Sequence, residues 1–268
     1  MRASRPYLVF FRAGAASLHP RLIAQEPDRN WDCCVSWYVA PRPESLAEYY
    51  EDTGANKFDA FDAFYRKTIA GSHYRYVLVV DDDIDFLPGD ISRLFTLCDA
   101  HRLYLAQPSL RWGTHASHHV TLHNPVCIVR QSRFVEVMAP CFSREALARL
   151  QPTFGLNRST WGIDYAWSSL LAGEGRIAVV DAIQVEHTKA VSLDGGAFYL
   201  KLRAAGIDPL AEYRQIKETY PRFGSLGSER AGHRLVFPLP DFLGKLLVPL
   251  FEGIKKRVHR ARRQRASP

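Results

Sequence analysis

Cysteine is scarce and unpatterned in this chain. Its five cysteines, Cys33, Cys34, Cys98, Cys127 and Cys141, are odd in number and contain no C-x-x-C spacing. A disulfide framework and a zinc knuckle are therefore not indicated, and a reducing compartment is expected. Long apolar runs are missing as well. The first, Tyr7 to Phe11, is cut by Arg12 after five residues, too short for a signal-peptide core or a membrane span. Glycine (17) and proline (16) follow no period and no internal repeat is visible, which excludes collagen-like and solenoid architectures. Finally, the body of the chain has no charge excess. The formal charge is +7, and residues 255–268 hold seven Lys and Arg with no acid. A basic nucleic-acid groove across the body loses its support, and no nucleic-acid partner is expected.

What is present reads as an α/β domain. Apolar, β-prone runs at Tyr7–Phe11, 33–39, Tyr76–Val80, 103–106, 134–138 and 177–181 alternate with helical spacings. Phe58, Phe61, Phe64, Tyr65 and Ile69 recur every three or four positions, Asp90 opens a helix through Leu94, Leu97 and Cys98, Ser143 precedes Arg144–Leu150, and a further helix covers 164–171. Residues 111–133 are polar, rich in His and without a period. Strands alternating with helices predict a mixed, mostly parallel sheet flanked by helices on both faces. The domain is placed at 5–225. Residues 226–268 form an amphipathic, polybasic tail.

Chemistry concentrates where the Tyr76–Val80 strand ends in Asp81, Asp82 and Asp83. Carboxylates this close repel one another unless a cation or solvent compensates, and hard cations such as Mn²⁺ or Mg²⁺ take such oxygens while leaving positions for phosphates. The alternative is a solvated acidic turn. Glu136 interrupts an apolar run, so it is either buried with a partner or faces a cleft. His115, His118, His119 and His123 have metal-like spacing, but the glycine, serine and proline among them disfavour the helix that a zinc pair would use.

Val-Val-Asp81-Asp82-Asp83 resembles the D-x-D motif of GT-A glycosyltransferases. A longer series, from Lys57 to about His187, is similar to a plant and bacterial family of unknown function near those enzymes. It comprises the Asp cluster, Gln107-Pro108, the pair His118-His119, the segment Phe-Val-Glu-Val-Met-Ala-Pro at 134–140, Trp161-Gly-Ile-Asp164, and Val-Val-Asp181 followed by His187. The resemblance implies a GT-A fold, a nucleotide-sugar donor (a UDP-sugar first), and Mn²⁺ or Mg²⁺ held by Asp81, Asp83 and His187. It also implies Asp164 as the base that takes the proton of an acceptor hydroxyl with inversion at the anomeric carbon. Arg12 and Lys57 are assigned with Asp82 to the donor site, where they would reach the diphosphate or base; the other reading of Arg12 and Lys57 is solvated charges. Asp164 read alone also fits a helix cap. Glu136, His118, His119 and Trp161 would line the acceptor side.

In the tail, Phe237, Leu239, Phe242, Leu243, Leu246, Leu247, Leu250 and Phe251 precede the basic block. Apolar residues plus a polybasic stretch give two signals for an anionic membrane surface; the other reading is a helix packed on the domain. The expected protein is a cytoplasmic enzyme, peripheral on the inner face of the membrane, acting on a glycan or lipid-linked acceptor in bacterial surface polysaccharide synthesis. Two alternatives stand beside it. Asp81-x-Asp83 also resembles the nucleophile motif of haloacid-dehalogenase phosphohydrolases, and the chain could be a non-catalytic membrane-docked scaffold.

Overall fold

A computed structural model describes residues 5–39, 46–52, 55–189, 197–220 and 241–266. In chain order the elements are β1 (Tyr7–Ala13), α1 (His19–Ala24), β2 (Trp31–Trp37), β3 (Tyr49–Asp52), α2 (Lys57–Phe64) running into a π-helical turn (Tyr65–Ile69), β4 (Tyr76–Val80), β5 (Ile84–Asp85) and α3 (Asp90–Ala100). They continue with β6 (Leu105–Leu110), β7 (Arg130–Gln131), β8 (Cys141–Ser143), α4 (Arg144–Leu150), α5 (Ile163–Leu170), β9 (Ile177–His187), α6 (Ala197–Ala204), α7 (Pro209–Thr219) and α8 (Asp241–Ala266).

β4, and β1 as far as Phe11, are apolar runs because both faces of the sheet are covered there. Along β1, Tyr7, Val9 and Phe11 enter one core while Leu8 and Phe10 enter the other; along β4, Tyr76, Leu78 and Val80 alternate with Val77 and Val79 in the same way. The period of two distributes side chains to opposite faces. The first core is closed by Leu22 and Ile23 of α1 and by Ile91, Leu94 and Phe95 of α3. The second is closed by Phe58, Phe61 and Phe64 of α2, Leu147 and Leu150 of α4, and Trp167 of α5. Local signals start the helices: the Asn56 side chain accepts from Asp59 N at 2.9 Å, and Ser143 Oγ accepts from Ala146 N at 3.1 Å, as N-caps do.

The sheet order is β3-β2-β1-β4-β8-β6-β9-β5, with β7 also on β9. β1 is parallel to β2 and β4, β2 to β3, and β6 to β9; β8 is antiparallel between β4 and β6, and β5 and β7 are antiparallel to β9. The expected mixed, mostly parallel sheet flanked by helices is the architecture found.

Three differences from the sequence reading bear on the site. β6 runs through Gln107-Pro108 instead of stopping before it, because the register against β9 shifts between Pro108 and Ser109 and proline is tolerated where a ladder is interrupted. β9 correspondingly extends to His187, whose Cα pairs with Ile84 of β5. The stretch 134–138 is not a strand. Its backbone groups go mainly to side chains, Glu136 N donating to Gln107 Oε1 at 2.6 Å and Val137 O accepting from Lys57 Nζ at 2.7 Å, while Met138 O accepts from Asp81 N at 3.0 Å.

Candidate active site

Asp81, Asp82 and Asp83 leave the carboxyl end of β4, in the middle of the sheet, where open α/β sheets bind ligands. Adjacent in sequence, their side chains take three different partners. Asp81 Oδ1 lies 2.6 Å from Lys57 Nζ. Asp82 Oδ2 accepts from the Tyr38 hydroxyl at 2.8 Å, with Lys189 Nζ at 3.6 Å from the other oxygen. Asp83 Oδ2 faces His187 Nε2 at 3.5 Å. Splitting the partners is how three carboxylates share one corner without facing one another.

The β5–β9 pairing explains how His187 arrives there from the far end of the sequence. The irregularity in β9 carries the strand past β6, and the Ile84↔His187 register sets the imidazole beside Asp83. Thr188 fixes the same junction, donating to Asp83 O from its N at 3.0 Å and from its hydroxyl at 2.9 Å. His187 Nδ1 lies 3.2 Å from His115 O. A carbonyl can only accept, so Nδ1 carries a proton, and an ionised Asp83 can only accept as well, so the contact to it places a proton on Nε2 and makes the ring cationic. Burial acts to lower the His187 pKa, but the hydrogen bond and charge of Asp83 outweigh it and the ring lies above its usual range. Burial likewise acts to raise Asp83, and His187 overrides it, leaving this carboxyl below its usual range.

A second pair of acids lies behind the first. Glu136 and Asp164 are both about 5% exposed. Burial, reinforced by the charge of Asp164, pushes Glu136 up to about 8, and one of its oxygens, Oε2, has no partner. Burial pushes Asp164 up to about 7 against the pull of the Tyr165 and Val137 N–H groups and of Lys57. Asp164 is not the cap of α5: that position belongs to Gly162 at φ 88°, left-handed backbone that glycine adopts readily. Asp164 sits in the first turn, accepting from Tyr165 N at 3.0 Å. The Val137 peptide joins this pair to the Asp cluster, with its N–H on Asp164 and its C=O on Lys57, which holds Asp81.

The remaining expected site residues divide. Arg12 is buried, donates to Ser36 Oγ at 2.7 Å and to Ala55 O, and stands 5.3 Å from the centre of the Tyr38 ring; burial lowers its pKa to about 10. His118 packs at an angle against Phe134 and Tyr165, at 4.6 and 5.7 Å between ring centres, the second being the residue that follows Asp164. Trp161 Nε1 donates to Tyr199 Oη at 3.0 Å, on the same approach. His119 turns away, its ring 6.1 Å from that of His259 on α8. Sequence reasoning missed Tyr38 and Lys189, the two partners of Asp82. The first could have been found as a polar tip at the carboxyl end of the second apolar run, the second as a cation two positions after His187.

Among the described residues, no three His, Cys, Asp or Glu side chains converge as a complete metal cage. A partial set fits a hard cation nonetheless: the Asp83 carboxylate and His187 Nε2 are adjacent, and with Nδ1 held by His115 O, Nε2 would offer its lone pair once it gives up its proton. Mg²⁺ and Mn²⁺ sites usually combine a few protein ligands with waters and phosphate oxygens.

The sheet, with its acids at the carboxyl end of β4 and an antiparallel strand inserted beside it, defines a GT-A-like α/β fold. Solved structures agree: 349 chains are similar, among them the crystal structure of GalNAc-T7 with UDP, GalNAc and Mn²⁺. That match has a TM-score of 0.57 at 13% identity and covers 81% of this chain and 48% of that one. The chain thus spans about half the length of this neighbour, and at such identity the likeness is one of fold. No protein-family model matches the chain, and no curated protein does.

Proposed function

We propose that the chain is a metal-dependent glycosyltransferase that moves a sugar from a nucleotide-sugar, a UDP-sugar first, to a hydroxyl of a glycan or lipid-linked acceptor in bacterial surface polysaccharide synthesis. The observation that carries this reading is an Asp cluster and a buried acid pair linked through Val137, whose N–H is on Asp164 and whose C=O is on the Lys57 that holds Asp81. On one side is an ionised Asp83 beside His187, on the other a buried Asp164, its pKa lifted to about 7, beside Glu136. One pair suits a cation and a diphosphate, the other a proton. The GT-A-like fold supports the reading, as does a structural neighbour crystallised with UDP, GalNAc and Mn²⁺.

In this reading Asp83 and His187 hold the cation, with Asp81 lending charge from its place on Lys57; bound there, Mn²⁺ or Mg²⁺ neutralises charge on the leaving diphosphate. Arg12, Lys57 and Asp82 shape the donor pocket through the contacts described. Trp161, His118 and Glu136 line the acceptor side. As the bond from the acceptor oxygen to the anomeric carbon forms and the bond to the diphosphate breaks, Asp164 accepts the hydroxyl proton. A buried carboxyl near neutrality is better matched to that task than an exposed one. The configuration at the anomeric carbon is inverted.

Domain 5–225 carries this chemistry, and 226–268 brings it to the inner face of the membrane. The boundary between them, with Phe237 and Leu239, lies outside the described residues. Incubation with UDP-sugars, Mn²⁺ and an acceptor, followed by NMR of the product's anomeric proton, tests the proposal. An inverted linkage is expected, and a retained one removes Asp164 as base. Phosphomonoester hydrolysis without sugar transfer favours the phosphohydrolase instead.

A further inference from the structure

One reading of the sequence directs the apolar set of the tail toward a bilayer; α8 divides the members of that set whose side chains are described, Leu247, Leu250 and Phe251, between two faces. Leu247, Val248 and Phe251 pack on Val126 and Cys127 of the domain. Beside them Glu252 accepts from Asn124 Nδ2 at 3.1 Å and from Lys255 Nζ at 2.7 Å. It also lies 3.5 Å from Arg130, whose guanidinium is 2.9 Å from the wholly buried Asp181. Lys255 itself is 0% exposed. This face is occupied, and stripping it from the domain would expose Val126, Cys127 and Val248 and break the contacts of Glu252 with Asn124 and Arg130.

The opposite face is different. Leu250 is 58% and Ile254 40% exposed, and Lys256, Arg257 and Arg260 are exposed as well. At about 3.6 residues per turn, Leu250, Ile254 and Arg257 form one row, with Lys256 and Arg260 along one side. From 247 to 261 the single acid is Glu252, which faces the domain. The amphipathic pattern of the sequence therefore hides two patterns, one for each side of the helix.

We infer that α8 stays on the domain and binds an anionic lipid surface through this outward face. Leu250 and Ile254 enter the headgroup region, and Lys256, Arg257 and Arg260 contact lipid phosphates. Charge complementarity selects the occupant: 255–268 is basic without an acid. The apolar pair selects a bilayer over a nucleic acid, which supplies phosphates but nothing to receive two aliphatic side chains. A docked helix also fixes the orientation of the domain on the membrane, which a flexible tail would not do. The inference deepens the membrane part of the proposed function; its test needs neither donor nor acceptor, so its failure is separable from that of the transfer chemistry.

The test is sedimentation of the full chain with phosphatidylcholine vesicles with and without phosphatidylglycerol. Binding is expected only with the anionic lipid, weakening as salt rises. The triple variant Lys256→Glu, Arg257→Glu, Arg260→Glu should lower partitioning by roughly 100-fold or more, given the contribution expected of each basic residue near an anionic surface. Leu250→Glu with Ile254→Glu should also abolish it, both variants melting at the wild-type temperature. A chain locked by a disulfide between Cys127 and Val248→Cys should bind vesicles as the wild type does. Loss of binding in the locked chain, wild-type binding by the outward-face variants, or equal salt-sensitive binding to duplex DNA without vesicle binding would each overturn the inference.

Discussion

Asp164→Asn separates the two roles open to this residue, because it is expected to make the protein more stable and less active at once. In the folded state burial lifts the Asp164 carboxyl from 3.8 to about 7. At about 1.36 kcal/mol per pK unit, that difference costs the folded state up to about 4 kcal/mol once the group is ionised. The sign follows from the direction. A raised folded pKa contributes stability that is complete below the ordinary carboxyl value near 3.8, declines as the pH rises, and is gone above about 7. Between pH 4 and 7 the wild type should therefore lose about 1.4 kcal/mol per pH unit from this group. Asparagine keeps an acceptor for the Tyr165 and Val137 N–H groups and has no proton to lose, so the variant should lack that component. For a domain of this size the gap near neutral pH is on the order of 10 °C in melting temperature. Urea and thermal unfolding of both proteins from pH 5 to 8 measure it. Turnover should fall by about 100-fold or more if a general base has been lost, and wild-type kcat should rise with pH, reaching half its maximum near pH 7 and its plateau about a unit above. Parallel stability curves for the two proteins, or a variant of lower melting temperature, would refute the reasoning and return Asp164 to a structural role.

Two further perturbations probe the corner and the helix. A Cβ on Gly14 would intrude on both Tyr38 Oη and Asp82 Oδ2, so Gly14→Ala should break their hydrogen bond, destabilise the fold by about 1–3 kcal/mol and weaken donor binding; unchanged unfolding curves would contradict this. Asp181→Asn leaves the buried Arg130 guanidinium without its full counter-charge and should cost about 3–5 kcal/mol, with α8 showing faster amide exchange; a cost under 1 kcal/mol would show that the network does not hold the helix.

How much of this was legible in the sequence depended on the range of the interactions involved. β4 could be read because its two cores are served by one apolar run, and α4 because Ser143 caps it within three residues. The Asp cluster and its place at a strand end were visible for the same reason. The segment 134–138 misled because an alternating apolar pattern specifies which side chains are buried but not where the N–H groups go; here they go to Gln107 and Asp164, and Val137 O goes to Lys57, 80 positions away. His118 and His119 are neighbours in sequence that point to opposite regions, the first to Tyr165 and the second to α8, and nothing local distinguishes them. His187 was placed near the cluster by resemblance; the physical cause, the irregular β6–β9 register, is a tertiary feature. The two faces of α8 are evident only once Arg130 and Asp181 are seen beneath Glu252.

The most direct measurement is calorimetric titration of a UDP-sugar into the full chain with and without Mn²⁺, repeated on Asp83→Ala. Binding that requires the metal and disappears in the variant, while the variant stays folded, is the expected result. Donor binding indifferent to both Mn²⁺ and Asp83, or no donor binding at all, would contradict the assignment of this corner to a cation and a diphosphate.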